Sequence, residues 1–323
     1  MRLVFARHFR APSRKMQANR SNLDGTPAAP MKPQTPEEAA RAAAAAAGAP
    51  LEQHNLAYRD QTFLDTPDAR PLRIMSEYFE PLRRLRRENV HDTIVFFGSA
   101  RIPGPEAMTA AQAKTGSEAT GAGRAGELAR YYEEARELAH RLTEWSRGLH
   151  HPRRRFVIAS GGGPGIMEAA NRGAAEAGGA TIGFNIQLPF EQNPNRWITP
   201  SLNFQFHYFF MRKFWFAYLA KALVAFPGGF GTLDEVSEIL TLAQTQKLAK
   251  KIVVALYGEA YWREVLNFDA FVRWGTIGPG DTGLFHFVNT PQEAYDYLTG
   301  ALTEIYLQPP PEEEGPPGIA KTR

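Results

Sequence analysis

Two carboxylates stand directly behind a glycine turn in Pro227-Gly228-Gly229-Phe230-Gly231-Thr232-Leu233-Asp234-Glu235, a run that follows the apolar stretch Leu223 to Phe226. Strand, glycine turn and helix, in that order, expose backbone N–H groups at a helix N-terminus. Unpaired donors and the helix dipole make such a place attractive to phosphate. Acids beside a phosphate cradle are out of place for phosphate alone, so Asp234 and Glu235 point to a second group bound next to it. A second run, Ser160-Gly161-Gly162-Gly163-Pro164-Gly165, follows the apolar stretch Phe156 to Ala159 and leads into a helical segment, Ile166 to Ala177. Two such turns at two strand ends predict a nucleotide or sugar-phosphate site.

Each turn has a purely structural alternative. Thr232 with Glu235 three residues on fits a capping box, in which both side chains only satisfy helix N-terminal donors. Neither run is a common nucleotide motif. A P-loop needs Gly-x-x-x-x-Gly-Lys-Ser/Thr, and no lysine follows either turn at that spacing. Gly161 and Gly163 are followed by Ile166 where the dinucleotide fingerprint needs its third glycine. The pattern argues against a standard kinase, GTPase or NAD enzyme.

Between the turns lies an unusual segment. From Phe204 to Tyr218, nine of fifteen residues are aromatic, which reads as buried core or an oligomer interface. Arg212 and Lys213 interrupt it. Helical spacing places Arg212 on the side of Tyr208, Phe209, Trp215 and Phe216. A guanidinium among rings is costly unless it is paired, stacked or aimed at an anion. Its natural partner is a carboxylate or phosphate at the glycine turns, whereas Lys213 is expected to snorkel outwards.

The elements that must position these groups alternate. Strands are predicted at 93–97, 156–160, 181–187, 222–226 and 252–256, with helices at 126–147, 165–177, 205–221 and 233–246. Such a series indicates an α/β fold, a Rossmann-like doubly wound parallel sheet with helices on both faces. Ligands of such sheets bind at the carboxyl ends of the strands, where both glycine turns fall. Two further helices are expected around Tyr261–Phe271 and Pro291–Tyr306.

Residues 1–50 read as a disordered basic tail containing a short helix, capped at Thr35-Pro36-Glu37-Glu38 and stopped at Gly48. Residues 51–89 read as a helical extension. Its amphipathic part, 70–88, is expected to bury Leu72, Met75, Phe79, Leu82 and Leu85. The main domain is set at 90–307, with a flexible insertion at 103–126. Residues 308–323 are read as a disordered tail.

Charge and cysteine content narrow the classes of function. Residues 1–50 hold eight Lys or Arg against three Asp or Glu, a net of +5, so the rest of the chain nets −2 of the total +3. The basic character thus belongs to the tail, which argues against a specific nucleic-acid partner for the body. No run approaches 18 apolar residues, so no membrane span is expected. The chain has no cysteine, which excludes disulfides and thiolate metal sites and suits a cytoplasmic setting. No His/Asp cluster has ligand spacing, and His207 reads as a core residue, so neither metal nor cofactor is expected.

Taken together, Gly161 to Asn171, Met211-Arg212-Lys213 and Pro227 to Glu235 resemble the Lonely Guy (LOG) family, proteins long labelled lysine decarboxylases. The resemblance covers about residues 90–300. It implies hydrolysis of the N-glycosidic bond of nucleoside 5′-monophosphates, cytokinin or AMP forms, to a free base and ribose 5-phosphate. It also implies a homodimer or larger assembly. By motif, Arg212 and Glu235 match the family's essential Arg and Glu, and Gly228, Gly229, Gly231 and Thr232 match its phosphate and ribose loop. Glu191, in Leu188-Pro189-Phe190-Glu191, resembles the Pro-x-Glu acid that precedes the arginine helix, although 21 positions separate it from Arg212. Gly98, Ser99, Gly162, Gly163, Lys213, Asp234 and Thr241 complete the candidate substrate-binding set. Asp234 stands where the family usually has Glu.

The residues fit that chemistry on their own terms. Cleaving a ribosyl C–N bond develops positive charge on the sugar. A carboxylate at Glu235 can stabilise that charge or activate water, and Arg212 can hold phosphate or pair with Glu235. Three rival functions remain open at this point. A pyridoxal-phosphate decarboxylase would need a Schiff-base lysine such as Lys213 or Lys221. A non-catalytic nucleotide or cofactor carrier, like the molybdenum-cofactor carriers, needs no Arg212–Glu235 pair. A nucleic-acid-binding α/β module would need a basic core.

Overall fold

The structure, a computed structural model, describes residues 35–48, 55–106, 122–189, 193–248 and 250–308. The first chain segment, Met1–Asp60, forms a unit of its own. Within it, helix α1 (Pro36–Gly48) opens as expected: the Thr35 hydroxyl accepts from the Glu38 N–H at 3.2 Å, and the Glu38 carboxylate accepts from the Thr35 N–H at 3.1 Å. Residues 1–34, 49–54, 107–121 and 309–323 lie outside the described residues, and the readings of the tails and of most of the insertion fall there. Residues 122–126 of that expected insertion are helical.

The second unit, Gln61–Arg323, holds a seven-stranded, all-parallel sheet in the order β4-β3-β2-β1-β5-β6-β7. Its strands are β1 (Thr93–Phe97), β2 (Val157–Ser160), β3 (Thr181–Ile186), β4 (Asn203–Phe206), β5 (Ala220–Ala225), β6 (Val253–Tyr257) and β7 (His286–Val288). The chain builds outwards from β1 to β4, then returns to lay β5 against the other side of β1. The predicted doubly wound α/β class is therefore the observed one. The reversal between β1 and β5 leaves a crevice beyond their carboxyl ends, which is where such sheets bind ligands.

Strand β1 shows why both sheet faces must be covered. Ile94 and Phe96 enter one apolar cluster, and Val95 and Phe97 enter the other. On the first face lie α4 (Ala122–Gly148), α5 (Ile166–Glu176) and α10 (Pro291–Tyr306), through residues such as Leu138, Ala170 and Leu298. On the second lie α3 (Arg70–Arg87), which follows the single turn α2 (Gln61–Leu64), then α6 (Phe209–Leu219), α7 (Phe230–Gln244) and α8 (Glu259–Val265). The C-terminal helix expected around Tyr261–Phe271 is split, because α9 (Phe268–Arg273) starts afresh behind an Asn267 cap.

Two sequence expectations fail in instructive ways. The helix predicted at 205–221 is a strand to Phe206, a helix only from Phe209 to Leu219, and a strand again from Ala220. Asn203–Phe206 alternates exposed and buried residues, and that period of two was hidden by the density of aromatics. The face assigned to α3 holds only at its C-terminal end, where Leu82 and Leu85 pack as expected. Leu72, Met75 and Phe79 are 46–55% exposed, whereas Ile74, Tyr78, Leu82 and Leu85 pack on the sheet. Both stripes have helical spacing, so periodicity alone does not choose between them.

Candidate active site

The crevice at the β1/β5 reversal is a cavity of about 780 Å³, lined by Gly98, Ser99 and Arg101 after β1, by Pro227 to Glu235 after β5, and by Arg212 from α6. That is the size of a nucleotide-binding pocket. The loops are tied to each other. Phe226 N–H donates to the Phe97 carbonyl at 2.9 Å, Ser99 N–H to the Pro227 carbonyl at 3.0 Å, and Ile166 N–H to the Ser99 carbonyl at 3.2 Å. From α8, the Tyr261 hydroxyl donates to the Gly228 carbonyl at 2.6 Å. The glycine turn is thus held from two sides.

Helix α7 begins three residues earlier than the sequence suggested, with Gly229 as its N-cap and no side-chain capping bond. The Thr232–Glu235 capping box is therefore not formed. Both residues sit inside the helix and are buried, on the side that meets the cavity. The first intrahelical bond runs from Leu233 N–H to the Gly229 carbonyl at 3.0 Å. The N–H groups of Phe230, Gly231 and Thr232 precede it, and they form the anion cradle of a helix N-terminus.

Burial sets the electrostatics. Glu235 is 7% exposed, and among the described residues no donor reaches its carboxylate. Burial pushes its pKa up to about 7, against the opposing pull of Arg212 and Lys213. Arg212 is half-buried, and the loss of hydration lowers its pKa while Glu235 and Asp234 oppose that. Its guanidinium lies 5.3 Å from the centre of the Phe216 ring, the stacking expected from helical spacing. Its Nε is enclosed and has no hydrogen-bond partner among the described residues. Arg212 and Glu235 thus line one cavity without a direct ion pair between them. Each is left incompletely satisfied, as groups awaiting a ligand are.

The other candidates divide. Gly98, Ser99, Gly228, Gly229, Gly231, Thr232 and Asp234 line the cavity. The Asp234 carboxylate, however, pairs with Lys213 at 2.7 Å, and Lys213 also meets Glu238 at 3.3 Å. Lys213 therefore bridges α6 and α7 instead of entering the cavity. Burial pulls its pKa down, but the bond to Asp234 and the charges of its acidic neighbours outweigh that and raise it. Thr241 is exposed, farther along α7, where its hydroxyl donates to the Ser237 carbonyl at 2.7 Å. Glu191 lies outside the described residues.

Gly162 and Gly163 also stay out of the lining. The second turn is instead stitched down, with the Gly162 N–H on Ser160 Oγ at 3.1 Å and the Gly162 and Gly163 carbonyls both on the Asn195 amide at 3.1 Å. What this turn supplies is space. A Cβ on Gly161 would stand 3.1 Å from the Arg212 guanidinium and 2.7 Å from Met167 Sδ. Gly165, at φ +70°, brings the turn so close that a Cβ would meet the Ser99 carbonyl oxygen at 2.3 Å.

One positioning residue had no signal in the sequence. Glu77, on α3, accepts from His207 N–H at 2.7 Å and from Tyr208 N–H at 3.2 Å, just before α6 begins, and its own carbonyl accepts from Trp215 Nε1 at 2.9 Å. It anchors the helix that carries Arg212 at its N-terminus, where a carboxylate is favoured by the helix dipole.

Fold and site together define a Rossmann-like protein in which a helix N-terminus, a half-buried arginine and a buried glutamate meet at one cavity. The family model described as "Possible lysine decarboxylase" matches residues 167–298. Among curated proteins, the chain is 30% identical over 160 residues to a probable cytokinin riboside 5′-monophosphate phosphoribohydrolase of rice, LOGL5, which is 48% of this chain and 59% of the rice protein. It is 30% identical over 152 residues to the Arabidopsis thaliana cytokinin riboside 5′-monophosphate phosphoribohydrolase LOG7, 46% of this chain and 64% of that protein. These alignments span less than two thirds of either relative. Among solved structures, a molybdenum cofactor binding protein from Rippkaea orientalis aligns with 66% of this chain and 98% of its own, at 19% identity and a TM-score of 0.40. A molybdenum cofactor carrier protein from Chlamydomonas reinhardtii aligns with 66% and 99%, at 22% identity and a TM-score of 0.38. The Lonely Guy resemblance carried by the motifs agrees with these matches, which show the chain to be similar to proteins of that name over about half of its length.

Proposed function

We propose that the protein hydrolyses the N-glycosidic bond of nucleoside 5′-monophosphates, of the AMP or cytokinin riboside type, to a free base and ribose 5-phosphate. The observation that carries this reading is a buried carboxyl with a pKa near 7 in one cavity with a half-buried arginine whose Nε is enclosed, both at the N-terminal end of a helix. The curated relatives, which carry the name of that activity, support it.

In this reading the 5′-phosphate occupies the N–H groups of Phe230, Gly231 and Thr232, with the Arg212 guanidinium as a charged donor. The ribose is then held over Glu235. As the C1′–N bond breaks, its electron pair leaves with the base and positive charge grows on the sugar ring. Ionised Glu235 stabilises that charge and accepts a proton from the attacking water, whose oxygen bonds to C1′. The proton ends on the departing base, so the sum is base plus ribose 5-phosphate. A carboxyl with a pKa near 7 suits this work, because it both accepts and returns a proton at neutral pH.

We place the protein in the cytoplasm as a homodimer or larger homo-oligomer. The half-exposed rings of Phe209, Phe210 and Tyr218 on α6 support the assembly, since apolar surface of this kind marks contact faces. Among the described residues no helix is long and apolar enough to cross a membrane.

Incubation with a panel of nucleoside 5′-monophosphates, including AMP and its isopentenyl form, tests the reading by chromatography of the free base. Base release, absent with the matching nucleosides that lack phosphate, is the expected result. Tight AMP binding without release from any member of the panel would overturn hydrolysis in favour of a carrier.

A further inference from the structure

The amino ends of the strands carry a second cleft, of about 750 Å³, which the reaction above does not use. It opens where β2 and β3 begin, at the sheet edge opposite the candidate active site, and is lined by Arg87, Arg147, Arg153, Arg154 and Arg155 together with His151. Five arginines and one carboxylate, Glu88, line it; Arg155 is turned to the buried Asp92 and Arg147 donates to the Ala177 carbonyl, which leaves Arg87, Arg153 and Arg154 as the exposed, loosely held charges. Only one pairing is tight, Arg155 Nε to the buried Asp92 at 2.8 Å. Glu88 stands 3.6 Å from Arg87 and 3.9 Å from Arg154, and those arginine side chains are 62% and 46% exposed. Among the described residues, Arg153 makes no ion pair and is exposed.

The backbone around this cleft is built, not incidental. Of the four non-glycine residues with positive φ among the described residues, three line it: Asn89 at +58°, His150 at +47° and Phe156 at +50°. Asn89 and His150 follow the ends of α3 and α4, where a left-handed residue closes a helix, and a bridge then ties the two segments together. His91 N–H donates to the Arg154 carbonyl and Arg154 N–H to the Asn89 carbonyl, both at 2.9 Å, while the Asn89 amide holds the Pro152 carbonyl at 2.8 Å. The arginine run is thereby presented on a fixed scaffold. The slightly acidic total of the body conceals this local excess of positive charge.

We propose that this cleft binds a small anion carrying two or more linked phosphates. Orthophosphate would engage two or three guanidinium forks and leave the others repelling one another, whereas a phosphate chain spans them. Phe156 is fully buried, so the exposed rings of the lining are the small imidazoles of His150 and His151, and most of the recognition falls on the phosphates. An open cleft confined to one sheet edge also suits a compact anion better than the extended backbone of a nucleic acid, which a basic groove tracks over many nucleotides.

Calorimetric titration of the full chain with sodium tripolyphosphate, at constant ionic strength, tests this by binding alone, whatever the protein hydrolyses. The expected result is saturable binding at least ~10-fold tighter than for orthophosphate, and weakened ~10-fold or more in Arg153→Ala/Arg154→Ala. The same titration in Arg212→Lys should be unchanged, which separates this cleft from the cradle on α7. Both substituted arginines are exposed, so thermal unfolding should match the parent; if it does not, Arg87→Ala/Arg153→Ala replaces the first pair. Equal affinity in parent and cleft variants, or no saturable binding in the parent, overturns the proposal. Tighter binding of an unphosphorylated-end oligonucleotide than of tripolyphosphate also overturns it, in favour of a nucleic-acid surface.

Discussion

The two edges of the sheet keep their arginines in opposite states. At the carboxyl edge Arg212, with an enclosed and unpartnered Nε, shares the cavity with a glutamate whose pKa is raised to about 7, while Arg101 stands exposed in the same lining. At the amino edge five arginines stand around an open cleft, mostly hydrated and loosely paired. Charges in water interact weakly, and each exposed pair contributes little. Charges withdrawn from water interact strongly and cost stability. The contrast separates a place built to alter bonds, where perturbed groups are needed, from one built to hold an anion and let it go.

The largest effect is expected at the enclosed edge. Glu235→Gln should lower base release by about 10³-fold or more while AMP still binds, because the substitution removes only the charge that the reaction uses. The same variant reads the cost of burial. A carboxyl whose folded pKa lies near 7, above the ordinary 4.5, favours the folded state fully below pH 4.5 and loses that advantage as pH rises through 7. At pH 8 the ionised, buried group then costs on the order of 3 kcal/mol, so Glu235→Gln should raise the melting temperature there and not at pH 5. A melting difference independent of pH would break the comparison, because Glu235 would then behave like the exposed charges of the other edge.

Arg212→Lys comes next. It keeps the charge and loses the planar fork, so kcat/KM should fall by about 100-fold with phosphate affinity carrying much of the loss. Full activity would show that point charge alone suffices, as in an open cleft. The smallest change in chemistry comes from Gly165→Ala, where strain at φ +70° and the Ser99 carbonyl 2.3 Å from the added Cβ should cost about 2 kcal/mol or more. Denaturant unfolding would measure that loss. The turnover remaining in the folded fraction would show how firmly the second turn holds the end of β1.

The sheet was legible in the sequence because its five central strands are short apolar runs closed by glycine or polar punctuation. The edge strands β4 and β7 were not. Asn203–Phe206 carries its strand period inside an aromatic-rich stretch that also suits a helix, and His286–Val288 is three residues long. In the site, Arg212 and Glu235 could be read from residue type and motif, and the structure brings both to one cavity. Thr241 shows the limit of that method, because a residue of suitable chemistry on the right helix points its hydroxyl at its own backbone. Glu77 shows the opposite limit. An acid on an amphipathic surface helix gives no sign that it will bind the start of another helix 130 residues away.

That clasp also bears on how the protein can be cut and recombined. The region matched by the family model starts at Met167, and the strand series starts at Thr93, so either would be a natural place to trim a minimal catalytic module. Each cut discards Glu77 and leaves two backbone donors uncapped at the front of the arginine helix. The cut at Met167 also removes β1 and β2 from the middle of the sheet, and the cut at Thr93 removes Leu85 from the core. Any chimera that borrows the glycine turns of this chain must bring the helix Arg70–Arg87 with them.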